Sequence, residues 1–233
     1  MVFVVDPPAG ITSESSGFHA SDIRPAILKR HYPTIIEIGV HQGGHTRLLL
    51  NAGLLRFGRV IGIDPHPQRG IANVLRFHPC GRLIRDLSLN ALPSLIVQDV
   101  KADIVIVDGD HNYYTVYHEL LLIAQLLKPD GVVFLHDVSW PYGRRDMYYD
   151  PLRIPAEHRH PYRYAGLVRG QSTLADSGAF NSHLANALHE GGPKNGVLTA
   201  IEDFLEASPE EWHLTVRNVD YGLGVLRRRR IAS

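Results

Sequence analysis

Cysteine is nearly absent from this chain, with Cys80 standing alone. One thiol cannot build an intramolecular disulfide framework or a cysteine-based zinc cluster, and a buried spectator is the role expected of it. Net charge is absent as well, with 24 basic and 24 acidic residues. That balance gives no electrostatic reason for a nucleic acid or an anionic membrane as partner, and neither is expected. Long apolar runs are also missing: none approaches the ~20 residues of a membrane span. The opening MVFVVDPPAG has a short apolar patch, cut off by Asp6, Pro7 and Pro8, with no basic residue before it. It does not read as a signal segment, so a cytoplasmic protein is expected. The one basic block, residues 227–230, reads as a solvated strand end.

What is present is 233 residues, enough for one α/β domain over 1–233 with a large core. Five strand signals, at 34–40, 59–65, 82–87, 102–109 and 131–138, alternate with helical patterns. The clearest helix is 114–127, YTVYHELLLIAQLL, which Lys128, Pro129, Asp130 and Gly131 close with a stop signal. That alternation predicts a doubly wound parallel sheet. Residues 140–196 break the pattern, being rich in Pro, Tyr, His, Arg and Gly without periodicity, and read as an inserted lid or substrate loop. A helix is expected at 195–207 with Asn195 as its cap. Strands at 212–219 and 223–228 follow, joined tightly enough for an antiparallel hairpin. The apolar segment 2–5 is expected to pair with the edge of the domain or with another subunit. No internal repeat is visible.

Residues 34–46, TIIEIGVHQGGHT, carry the most information. Ile35, Ile36 and Ile38 make a strand suited to burial on both faces. Gly39, Gly43 and Gly44 come where the chain must turn and let a ligand approach the backbone. Glu37 sits inside the strand, a costly place for a carboxylate without partners. A dinucleotide turn needs G-x-G-x-x-G, but here His41 takes the place of the second glycine. The pattern Glu37-x-Gly39-x-x-x-Gly43 instead resembles the first motif of the class I S-adenosylmethionine (SAM)-dependent methyltransferases. The alternating elements and terminal hairpin resemble their seven-stranded Rossmann-like sheet, over nearly the whole chain from about Pro33. The resemblance implies SAM as cofactor, with Glu37, Gly39 and Gly43 by its amino-acid end and further contacts from His41 and Thr46. It implies Asp64 at the ribose hydroxyls and Asp86 at the adenine amino group, with Asp108 also bordering the cofactor. Helix capping is the other reading of Asp64, and Ser88 is the other cap near Asp86.

Two further strands end in polar residues, ADIVIVDGDH and GVVFLHDV. Adjacent strand ends would bring Asp108, His136 and Asp137 together, a set able to hold a divalent cation with open positions for substrate oxygens. This resembles the metal-dependent O-methyltransferases, and DGDH with LHDV is similar to the branch of macrocin-type sugar O-methyltransferases and cephalosporin hydroxylase-like proteins. The resemblance implies Mg²⁺ as metal. It departs at His136, where relatives often carry Asp or Glu, so His136 reads as a metal ligand or a general base. His136, His111 and Asp108 are the candidates for taking the proton of an attacking hydroxyl. Helix capping is the competing reading for Asp110 and Asn112.

The insertion carries Trp140, Tyr142, Tyr148, Tyr149, Tyr162 and Tyr164 among Arg144, Arg145, Arg153, Arg159, His158 and His160. Aromatic faces with polar tips suit sugar rings, and suit a homodimer interface equally well. Residues 191–205, GGPKNGVLTAIEDFL, resemble the segment before the last helix in glycan-associated methyltransferases. The resulting expectation is methyl transfer to a hydroxyl of an oligosaccharide, polysaccharide or glycosylated natural product. The alternatives are a phenol- or catechol-type O-methyltransferase, an NAD-dependent oxidoreductase and a non-catalytic SAM-binding module.

Overall fold

The computed structural model describes residues 4–5, 19–176 and 179–229. The chain packs as two compact units. One is built from the chain up to Gly109, from Leu122–His136 and from Glu210 onward; the other from Asp110–Leu121 and Asp137–Pro209.

The first unit is a twisted sheet with helices. Its elements are β1 (Val4–Val5), α1 (Arg24–Leu28), β2 (Thr34–Ile38), α2 (Gly44–Leu54), β3 (Arg59–Ile63), α3 (Arg69–Phe77), β4 (Gly81–Ile84), α4 (Ser88–Val97) and β5 (Ala102–Val107). After helix α5 (Tyr113–Leu126) come β6 (Leu127–His136) and, at the far end of the chain, β10 (Trp212–Arg217) and β11 (Leu223–Arg228). The sheet order is β1-β10-β11-β6-β5-β2-β3-β4. Strands β2 to β6 run parallel, while β11 is antiparallel to both β6 and β10. The expected seven strands and terminal hairpin are therefore present. The eighth, β1, pairs parallel with β10 of the same chain through Val4 with Thr215 and Val5 with Val216; Val2 and Phe3 lie outside the described residues.

Every residue of β2 and β5 is buried, as near-continuous apolar runs covered on both faces require. Ile35, Leu49, Val60, Leu75, Ile104 and Phe134 are inaccessible to solvent and belong to one core. Each such side chain contributes about 1.5–3 kcal/mol of burial. The chain runs outward from β2 to β3 and β4, then restarts on the other side of β2 at β5. The carboxyl ends of β2 and β5 are thus the topological switch point, where open α/β sheets bind ligands.

The expected break after α5 is real but absorbed. Lys128 to Gly131 lie inside the ten-residue β6. Pairing with β5 jumps from Ala102–Leu127 to Ile104–Val132, so the residues between bulge out of the ladder. Arg228 donates to the carbonyls of Ala124 and Leu127, satisfying the end of the helix.

The second unit corrects the expectation of a structureless insertion. It holds a three-stranded antiparallel sheet of β7 (Met147–Tyr148), β8 (Tyr162–Tyr164) and β9 (Ala185–Ala187), ordered β7-β9-β8. Single-turn helices at Pro151–Arg153 and Ala156–His158 and helix α6 (Val197–Ala207) accompany it. Strands of two or three residues are too short to show a period. A polar knot organises them. Asp146, fully buried, accepts from Tyr113 N and Gly196 N (both 2.7 Å) and from the Tyr148 hydroxyl (2.8 Å). Asn195 is part of this knot rather than a helix cap. Its side chain accepts from Asp146 N and donates to the carbonyls of His189 and Gly191, and Gly196 takes the cap position. The cap expected at Asn112 is present, its oxygen accepting from Thr115 N at 2.8 Å.

Candidate active site

Register places the site. Ile84, Ile63, Ile38, Val107 and Leu135 stand side by side across the five parallel strands. The next residues, Arg85, Asp64, Gly39, Asp108 and His136, therefore form one row along the carboxyl edge. Backbone bonds continue into the row: Asp64 N to Ile84 O, Gly39 N to Ile63 O and Asp108 N to Ile38 O.

At the switch point the chain turns on Gly39, whose φ is +91°. A Cβ there would stand 2.1 Å from the carbonyl oxygen of Asp108, so only glycine lets the two strand ends lie this close. Gly43, at φ +78°, opens α2 in the left-handed region, with Ile71 packed where its side chain would be. His41 also holds a positive φ, of 45°, which is uncommon without glycine.

Asp64 fastens this turn. One oxygen accepts from Val40 N (2.9 Å) and His41 N (2.8 Å), the other from His66 N (2.7 Å). It does not cap α3, whose cap position is Gln68. A carboxylate has about four acceptor positions, so one remains for a ligand hydroxyl. Asp86 is exposed and accepts from Leu87 N and from the Asn90 amide, at the start of α4.

Glu37 is 1 % exposed. Its carboxyl receives the Thr46 hydroxyl at 2.6 Å and faces His45 Nδ1 at 3.3 Å. Burial pushes its pKa above the usual carboxylate range, and the bonds from His45 and Thr46 pull the other way.

At the next strand end His136 Nδ1 meets the Asp108 carboxylate at 3.1 Å, with Tyr221 edge-on to the imidazole. In the second unit, His111 Nε2 meets the Asp137 carboxylate at 2.7 Å, and the rings of Tyr142 and Tyr149 stand edge-on to His111. Asp137 holds a φ of 58°, a strained value at the end of a strand. Two carboxylate–imidazole pairs are present, Asp108 with His136 in the first unit and Asp137 with His111 in the second. His136 and Asp137 are consecutive along the chain.

The comparisons with known proteins agree with this architecture. Residues 36–138, a little under half of the chain, match the family model described as a methyltransferase domain. Among solved structures, the Podospora anserina methyltransferase PaMTH1, bound to S-adenosylhomocysteine (SAH), is 15 % identical at a TM-score of 0.57. That match covers 93 % of this chain and 80 % of the other. The chain has the class I methyltransferase fold. A candidate caffeoyl-CoA O-methyltransferase from Staphylococcus aureus gives 15 % identity and a TM-score of 0.55, over 94 % of this chain and 85 % of that one. A candidate rRNA-methylase from Clostridium thermocellum gives 14 % and 0.52, over 95 % and 100 %. No curated protein sequence matches. Among the described residues, no helix is long and apolar enough to cross a membrane.

Within this methyltransferase fold, sequence reasoning missed His45 and His19. His19 Nδ1 lies 3.0 Å from His45 Nε2. The only signal for His45 was its place beside Thr46, at the second position of the helix that faces Glu37. His19 carried none, being separated from the motif by an unrelated helix.

Proposed function

We propose that the protein is a cytoplasmic SAM-dependent O-methyltransferase that methylates a sugar hydroxyl with the help of a divalent cation. The observation that carries the reading is the carboxyl-edge row: Asp64 tying the glycine turn, Gly39 against Asp108, and Asp108 paired with His136. Glu37, Gly39 and Gly43 would border the amino-acid end of SAM, Asp64 the ribose and Asp86 the adenine.

The two carboxylates proposed as ligands suit a hard divalent cation such as Mg²⁺, and the imidazole is the softer donor of the set. Asp108 and Asp137 offer carboxylate oxygens, and His136 offers an imidazole. When bound, the cation would lower the pKa of a substrate hydroxyl. The chain's own residues do the rest. His136, oriented by Asp108, or His111, oriented by Asp137, receives the hydroxyl proton as the oxygen attacks the sulfonium methyl. Holding acceptor and cofactor in line supplies much of the acceleration. Tyr142 and Tyr149 beside His111 give an acceptor aromatic faces suited to a sugar's CH surface. A phenolic acceptor is the second reading, favoured by the description of the Staphylococcus aureus neighbour.

Calorimetric titration with SAH should give a Kd on the order of micromolar. A panel of oligosaccharides and phenols, with Mg²⁺ and after EDTA, should then show turnover on a sugar. Asp108→Ala and Asp137→Ala should each lower turnover on the order of 10²–10⁴-fold while the protein stays folded by circular dichroism. Full activity in both folded variants would overturn the assignment of these residues, and absence of SAH binding would overturn the methyltransferase reading.

A further inference from the structure

The residues that hold Glu37 have a structure of their own. Glu37 is a buried carboxylate in the middle of the sheet, on the strand that the proposed function sets beside the cofactor. An ionised carboxyl can only accept hydrogen bonds. Its two donors are the Thr46 hydroxyl and His45 Nδ1. With a His45 Nδ1 proton given to Glu37, an unprotonated Nε2 accepts from the ring of His19. The proton between the two rings, 3.0 Å apart, then belongs to His19 Nδ1. The rings meet edge to face, at 5.0 Å between centroids. His19 is itself buried, 4 % exposed, in the turn His19–Ile23 that leads into α1. Three side chains from three elements therefore form one hydrogen-bonded chain, His19 to His45 to Glu37.

The other charges facing this chain reinforce that order. Burial first, then His45 and Arg24, oppose a positive charge on the His19 ring. Burial first, and then Asp108 just past the end of the neighbouring strand, oppose a negative charge on Glu37. The donors from His45 and Thr46 act against protonation of Glu37.

We propose that His45 and His19 are positioning residues of the cofactor site, a relay that keeps Glu37 an oriented carboxylate and so fixes a negative charge for the ammonium of the cofactor's amino-acid end. This rests on the methyltransferase reading above. Neither histidine touches the reacting atoms. Loss of the His45 donor leaves Glu37 facing only Thr46, and burial then drives it toward its neutral form, which offers the ammonium no charge.

Two measurements test the relay separately from the reading on which it rests. Ring ¹⁵N spectra of the apo protein should show both rings carrying a proton at Nδ1 near pH 7, and His19 staying neutral to about pH 4. His19 titrating near its ordinary value, or either ring carrying its proton at Nε2 in place of Nδ1, would overturn the relay without reference to any cofactor. Calorimetry with SAH, between about pH 5 and about pH 8, then tests its purpose. His45→Leu should weaken SAH binding about tenfold near neutrality and move the acid-side loss of affinity to higher pH. His45→Asn, which keeps a donor near the Nδ1 position, should recover most of the affinity. His19→Leu should shift the profile less, and Glu37→Gln should bind weakly with no acid limb. Wild-type affinity and profile in His45→Leu would overturn the proposal, as would an equal loss at every pH. If wild-type protein binds no SAH at any pH while the ring spectra match, the methyltransferase reading fails and the cofactor role of the relay fails with it.

Discussion

Gly39 shows how much a single position can carry. Its φ of +91° lies where side chains are rarely found, and its missing Cβ makes room for the carbonyl of Asp108. Gly39→Ala should cost at least about 3 kcal/mol, the sum of left-handed strain and a backbone clash that no rotamer can relieve. Urea unfolding would measure it. Gly44→Ala is the matched control. Gly44 begins α2 with open space where a Cβ would go, so alanine should be neutral or stabilise by up to about 1 kcal/mol. Equal effects at the two sites would refute the close-approach argument. Gly39, Glu37, Asp64 and Asp108 were legible because each follows or interrupts an apolar β-branched run, and a polar or flexible residue there has few structural excuses. His45 and His19 were not, because their meaning lies in a contact across 26 residues that no local pattern encodes. The partnering of His111 with Asp137 was hidden for the same reason.

Among elements, the strands of the large sheet were legible and those of the second unit were not. Strands β2, β3, β5 and β6 are driven by burial on both faces, and that drive is written in Ile and Val. The second unit is held instead by hydrogen bonds to a few buried polar groups, whose sequence signature is only a scatter of Asp, Asn and Arg. Arg145, 1 % exposed, donates to the carbonyls of Ala187 and Ser172 and so joins β9 to the loop before it. Asp146 joins the start of α5, the start of α6 and the side chain of β7. Asp146→Asn keeps the shape but presents an amide donor to at least one of three donors already there. It should cost about 3 kcal/mol, in the range for bonds to a buried charge. The loss should appear as increased proteolysis within residues 147–196, while the sheet of the first unit keeps its far-ultraviolet signal. An Asp146→Asn protein as stable and as protease-resistant as wild type would show that the apolar contacts of Tyr148, Ile154 and Ala185 suffice.

For the whole molecule, the buried titratable groups make opposing demands on pH. The pKa of His19 is pushed down to about 4, first by burial and then by the charges of His45 and Arg24. The unfolded chain takes a proton there near pH 6.5, whereas the folded chain refuses it until about pH 4. Unfolding is therefore favoured as pH falls through that window, and the stability present above it is lost. Glu37, Asp110 and Asp146 have the opposite sign. Burial raises all three, so the folded state holds protons that the unfolded state has released. Their contribution is present below the ordinary carboxylate range and is lost as pH rises through the raised values. The His19 trend runs between about pH 6.5 and about pH 4, and the raised carboxylates oppose it in the wild-type curve. Substitution separates them. His19→Gln removes the acid-side loss that His19 contributes, which at full linkage amounts to about 2–3 kcal/mol between about pH 7.5 and about pH 4.5. Relative to wild type, the variant should therefore gain stability steadily as the solution is acidified, as read by urea midpoints at a series of pH values. Curves that stay parallel across that window would mean that His19 accepts its proton in the folded protein, and that its burial against His45 and Arg24 does not govern its charge.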